Sequence, residues 1–115
     1  MPKQCLVLVA HADDETLGCG GTIVKLVQGG WDMRVVIMSG GLLTVRGEVQ
    51  DNRGDAADAC QVLGIGVPTF IGIADQYFDQ HAMANLANRV AELALEPDLI
   101  LTHVDTDLNL DHRIT

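Results

Sequence analysis

The sequence predicts an α/β fold in which helices cover both faces of a parallel sheet, and three observations carry that prediction. Four short apolar runs recur along the chain: Cys5 to Ala10, Met33 to Met38, Pro68 to Ile73 and Leu99 to His103. Each is rich in Val, Ile or Leu with little polar alternation, as expected of strands buried on both faces. The intervals between them hold apolar residues at helical spacing, bounded by start and stop signals.

Taken in order, the first strand runs into His11-Ala12-Asp13-Asp14-Glu15. Thr16 is placed to cap a helix through Ile23, Val24 and Val27 to the Gly29-Gly30 stop. After the second strand comes the one long irregular stretch, Ser39 to Gln50, and a loop of that length is usually functional or mobile. Asp51 or Asn52 can cap a helix through Ala56, Ala59 and Leu63 to Gly64. The third strand leads to a helix from about Gln80 to Leu95, with Met83, Leu86, Val90 and Leu93 on one face and Pro97 at its end. Units of this length alternate into a Rossmann-like three-layer αβα fold with right-handed crossovers and parallel strand order 3-2-1-4. Residues 1–115 are expected to form a single domain. The edge of its fourth strand is open unless a tail, a partner or a second copy covers it, so a homo-oligomer is a candidate assembly.

Composition excludes several classes of function. With 48% hydrophobic residues the chain is not disordered, and its apolar runs fall far below the roughly 18 residues that span a bilayer, so no membrane insertion is expected. Seven Lys or Arg against sixteen Asp or Glu give a net charge of −9, which repels phosphate backbones, and nucleic acid is not an expected partner. Lys3 is followed at once by the first strand, with no charged leader and cleavage site, and a cytoplasmic location is expected. Cys5, Cys19 and Cys60 are odd in number and lack CxxC spacing, which fits reduced, mostly buried thiols.

Chemistry concentrates in two clusters, His11 to Glu15 after the first strand and His103, Asp105, Asp107, Asp111 and His112 after the fourth. In strand order 3-2-1-4 the loops after these two strands flank one crevice at the topological switch point. Imidazole and carboxylate are ligand types that zinc accepts, and two histidines with one aspartate would make a three-ligand catalytic site. Taken singly, the acids also suit a helix N-terminus, and His81 or His103 a solvated loop. What favours a metal site is the coincidence of both clusters at strand ends that topology brings together. A rival dinucleotide site at Gly18-Cys19-Gly20-Gly21 is a weak match, because three carboxylates fill the turn where pyrophosphate would approach; helix packing is the better use of Gly20 or Gly21.

The pair of motifs Ala10-His11-Ala12-Asp13-Asp14-Glu15 and Asp107-Leu108-Asn109-Leu110-Asp111-His112-Arg113 resembles that of the LmbE or PIG-L family of zinc-dependent N-deacetylases. Gly20-Gly21, Ala59 to Gly64, and Asp75 before Phe78 fit the same pattern. The resemblance implies that His11, Asp14 and His112 hold Zn²⁺, that Asp13 is the general base, and that Asp111 orients a catalytic or ligand imidazole. It implies N-acetylated amino sugars or their conjugates as substrates. It also places the Ser39 to Gln50 region beside the substrate, where Arg46 or Arg53 would bind sugar hydroxyls or a phosphate unless they are simply solvated. Ala12 stands where the family has proline. Asn109 stands where several members carry a histidine that stabilises the oxyanion or gives a proton to the leaving amine, and His103 is the candidate substitute.

The expected function is therefore a metal-dependent hydrolase removing an acetyl group from an N-acetylated amino sugar. The family domain normally continues for about another half, so the expected match is to its N-terminal portion. That motivates a second expectation, a non-catalytic homologue that keeps the fold and acts as a metal-binding or self-associating module.

Overall fold

The computed structural model describes residues 1–115, apart from the side chain of Thr44. Six strands and four helices follow in the order β1 (Gln4–Val9), α1 (Asp14–Gln28), β2 (Asp32–Ser39), β3 (Leu42–Val45), β4 (Glu48–Asp51), α2 (Arg53–Leu63), β5 (Thr69–Ile73), α3 (Met83–Ala91), β6 (Leu99–Leu101) and α4 (Leu110–Ile114), with a 3-10 turn at Phe78–Gln80. The main sheet has order β5-β2-β1-β6 and is wholly parallel, which is the predicted 3-2-1-4 arrangement once the inserted hairpin is discounted. Val7 sits at the centre of it, opposite Val35 of β2 on one side and Leu101 of β6 on the other.

Alternation along the strands sends successive side chains to opposite faces. Cys5, Val7 and Val9 of β1 join Ile23, Val35, Ile37 and Cys60 in a core beneath α1 and α2. Leu6 and Ala10 join Val36, Met38, Ile73, Phe78 and Leu86 in a second core beneath α3. Phe78 is completely buried in that second core. Its truncation to alanine is expected to lower unfolding free energy by about 3–5 kcal/mol, read from the denaturation midpoint at unchanged slope.

Three expectations about elements are corrected. Ser39 to Gln50 is not irregular: β3 and β4 pair antiparallel across Arg46-Gly47, both with positive φ (52° and 80°), which is the backbone that a two-residue hairpin turn of matching twist requires. α1 begins at Asp14, two residues before the expected cap at Thr16, with Asp13 as its N-cap. α3 is confined to Met83–Ala91, and Ala94, with φ 51°, prevents its continuation towards Pro97. Met83 is exposed and Leu86 is the buried anchor of its inner face.

The glycine run also reads differently in three dimensions. Gly18 to Gly21 lie inside α1, which kinks at Cys19 (φ −143°), so they do not form the strand-to-helix turn that a dinucleotide site needs. Gly20 is buried, and a Cβ there would meet Leu63 of α2 and Thr16 at 3.8 Å, whereas one at Gly21 would meet open space. The nucleotide reading is dropped. No helix among the described residues is long and apolar enough to cross a membrane.

All three cysteines are free, with Cys5 and Cys60 buried. Burial, with a smaller push from the Glu15 charge, raises the Cys60 thiol from 9.0 to about 11. The folded chain therefore keeps this proton where the unfolded chain has lost it, and its contribution to stability is full below about 9 and lost as pH rises through about 11. The melting temperature is expected to fall across that window, and less so in a Cys60→Ala variant.

Candidate metal centre

β1 and β6 lie side by side, so the loops that follow them meet above the carboxyl end of the sheet. His11 follows β1 directly, and the chain then turns sharply. Asp13 adopts φ 101°, a left-handed conformation that costs a non-glycine residue on the order of 1–3 kcal/mol and in which Asp is over-represented. This turn brings Asp14 back, its Oδ2 accepting the His11 backbone N–H at 2.9 Å. From the other side, Asn109 caps the short α4 by accepting the His112 backbone N–H at 3.2 Å, and this fixes Asp111 and His112 on its first turn.

Three donor atoms converge as a result. His11 Nδ1 and His112 Nε2 are 3.3 Å apart, and Asp14 Oδ2 is 3.5 Å from the first and 3.1 Å from the second. A tetrahedral ion with ligand distances of about 2.0–2.2 Å needs donors separated by about 3.3–3.6 Å, a range that two edges of the triangle meet and the third, at 3.1 Å, falls just short of. These three residues could hold a metal ion.

The opposite ring nitrogens decide between this set and two others that overlap it, His103 with Asp107 and His112, and His11 with Asp75 and Asp111. His11 Nε2 faces Asp111 Oδ2 at 2.8 Å and Asp75 Oδ1 at 3.0 Å, and so carries the proton. His112 Nδ1 faces Asp107 Oδ2 at 3.1 Å and does the same. His103 Nε2 accepts the Ala10 backbone N–H at 3.0 Å, which occupies its lone pair. In neutral rings this leaves His11 Nδ1 and His112 Nε2 with free lone pairs, both aimed at Asp14. Carboxylates behind ligand imidazoles are the usual means of fixing tautomer and ring orientation.

Electrostatics agree with a place for a cation. Burial works against charge on His11, yet its hydrogen bonds to Asp14 and Asp111 and the charges of Asp14 and Asp75 outweigh it and push its pKa up to about 9. Burial likewise opposes ionisation of Asp14, but its contacts with His11 and His112 hold it below the usual carboxylate range. Asp13 goes the other way, raised by burial and by the Asp14 charge. His103, stacked face to face on His112 with ring centroids 3.9 Å apart, is lowered by burial and by its neighbour's charge.

Of the residues singled out from sequence, His11, Asp13, Asp14, His103, Asp111 and His112 gather here. Asp111 is almost fully buried and accepts from the backbone N–H groups of Gln76 and Phe78 at 2.6 and 3.3 Å, besides holding His11 rather than its neighbour His112. Asn109 is spent on the α4 cap. Arg46 stands exposed in the hairpin turn, and Arg53 is exposed and forked onto Asp51 at 2.6 and 3.0 Å, so neither arginine is gathered into the centre. His81 is exposed. Sequence reasoning passed over Asp75 and Asp107 as partners of the histidines. The spacing Asp107-x4-His112 within one cluster was a signal for the second; a lone Asp after β5 was none for the first. Clefts of about 410 Å³, lined by Asp13, Glu15, Asn52 and Asp55, and of about 390 Å³, lined by Leu42, Val49, Asp75 and Tyr77, adjoin the centre.

The fold is thus a parallel α/β domain in which two histidines and an aspartate that could hold a metal ion converge at the ends of adjacent strands. The family model of PIG-L, described as GlcNAc-PI de-N-acetylase, matches residues 6–115, and the chain belongs to that family. Among solved structures it is similar to GalB, the 4-carboxy-2-hydroxymuconate hydratase of Pseudomonas putida, with 28% identity and TM-score 0.81 over 97% of this chain and 52% of that one. The N,N'-diacetylchitobiose deacetylase of Pyrococcus horikoshii shares the fold at 23% identity and TM-score 0.74, over 98% and 46%. A deacetylase of teicoplanin biosynthesis shares it at 16% identity and TM-score 0.83, over 98% and 56%. The chain thus spans about half the length of these structures. Comparison with curated proteins gave no match.

Proposed function

We propose that the chain carries the reaction centre of a zinc-dependent amide hydrolase that removes the acetyl group from an N-acetylated amino sugar or its conjugate. The observation that carries this reading is the triangle of His11 Nδ1, Asp14 Oδ2 and His112 Nε2 with the unligated Asp13 beside it. The family description and the two deacetylases of like fold support it.

Zinc bound there would polarise the acetamide carbonyl and make water acidic enough to attack near neutral pH. Asp111 and Asp107 accept from the outer nitrogens of the two imidazoles and so orient His11 Nδ1 and His112 Nε2 inward. Asp13 takes the proton from the attacking water, because its carboxylate lies beside the three donors without being one of them. The same carboxyl then returns that proton to the leaving nitrogen, which departs as the amine while acetate remains. This return fits Asn109, whose amide has no proton to give and is committed to capping α4.

The 28% identity to a hydratase favours a second reading, addition of water to a conjugated carboxylate. Charge separates the two. Asp13, Asp14, Asp75, Asp107 and Asp111 surround the centre, and a tricarboxylate would be repelled where a neutral acetamide is not. Incubating the zinc-loaded chain with N-acetylglucosamine derivatives should release acetate, and Asp13→Asn should release it far more slowly. Acetate release no greater than that of Asp13→Asn across the panel would sink the deacetylase reading, and hydration of a conjugated tricarboxylate would install the second.

A further inference from the structure

The left-handed turn at Asp13 has a specific support that the reaction itself does not use. Glu15 is completely buried, which is rare for a carboxylate that pairs with no basic side chain. Its Oε2 accepts the Asp13 backbone N–H at 3.1 Å, while its Oε1 has no hydrogen-bond partner among the described residues. An acid buried with one oxygen unpaired is costly where an apolar side chain would serve packing alone. Apart from its own backbone N–H, its side chain turns to the residue whose φ of 101° is the strained link between His11 and Asp14.

We propose that Glu15 is the positioning residue for Asp13: by accepting the Asp13 N–H it holds the left-handed turn and so keeps the Asp13 carboxyl beside Asp14. The kinetic part of this inference rests on the hydrolase reading, whereas the conformational part does not. Glu15→Gln keeps a carbonyl oxygen for the Asp13 N–H and is expected to behave as wild type. Glu15→Leu removes the acceptor and the unpaired oxygen together, and should fold at least as stably.

The test combines amide hydrogen exchange and backbone couplings of Asp13 by NMR with metal content and steady-state kinetics of the zinc-loaded chain. The Asp13 amide should be protected in wild type and Glu15→Gln, and should exchange fast and leave its left-handed coupling values in Glu15→Leu. Zinc stoichiometry and KM should be unchanged in Glu15→Gln; in Glu15→Leu, where the turn that brings Asp14 to His11 is released, zinc should bind more weakly, and kcat at full zinc occupancy should fall about 100-fold. Asp13→Asn, Glu15→Leu should be no slower than Asp13→Asn alone, because the second residue acts only through the first. An unprotected Asp13 amide in wild type, or a protected left-handed one in Glu15→Leu, would overturn the proposal. A double variant slower than Asp13→Asn would overturn it as well. If wild type hydrolyses nothing, the hydrolase reading fails and the amide measurement still decides the role of Glu15.

Discussion

Wild-type chain titrated with zinc is expected to bind one ion per chain, and the His11→Ala, His112→Ala double variant none. The expectation follows from the lone pairs. Each imidazole has its outer nitrogen committed to a carboxylate, His11 to Asp111 and Asp75, His112 to Asp107, and its inner nitrogen turned to Asp14. Removing both rings leaves Asp14 alone, which cannot hold the ion against water. Removing only a carboxylate behind a ring should be milder: Asp111→Asn keeps a side chain that can still accept from Gln76 or Phe78 but no longer offers His11 Nε2 a charged acceptor, and about 10–100-fold weaker binding is expected. Because the ligands come from both ends of the chain, zinc at 1,000 times its Kd should stabilise the fold by about 4 kcal/mol. Mass spectrometry of dialysed protein and the shift in melting temperature read both effects. No bound zinc in wild type, or equal zinc in the double variant, would refute the site.

Why so much of this was legible from sequence, and why some was not, has a physical basis. The apolar runs announced the four strands, and β1, β2 and β5 match them closely, although the edge strand β6 is shorter than its run and leaves Ile100 exposed. Strand order then brought the β1 and β6 loops together, which is how residues 101 positions apart, His11 and His112, end up 3.3 Å from one another. The hairpin was missed because Arg-Gly is a weak form of the Asn-Gly turn signal and because Glu48, Gln50 and Asp51 dilute the alternation of β4. Asp75 stands in the family pattern, but its pairing with His11 is not legible because the approach depends on the path of the loop after β5, which no local spacing encodes. Arg46 and Arg53 were placed beside the substrate on a loop whose hairpin form turns one to solvent and ties the other to Asp51.

Asp13→Asn should leave zinc binding and fold intact and lower kcat of acetate release by about 10²–10⁴-fold. The residue is not one of the three converging donors, and its exposed side chain lies in the 410 Å³ cleft rather than in either core. Asparagine tolerates the left-handed conformation as well as aspartate does, so the turn and its Glu15 contact survive the change. What disappears is a carboxylate able to take a proton from water and give it back to the amine. A protonated Asp13 cannot take the proton of water, so activity in wild type should fall as pH drops into the range where this carboxylate becomes protonated. That acid limb should vanish from the residual activity of the variant. Alanine would be a poorer probe, since it would strain the turn and confound loss of the base with loss of its position. Two results would remove Asp13 from the reaction: kcat unchanged in Asp13→Asn at full zinc occupancy, or an acid limb that persists in the variant.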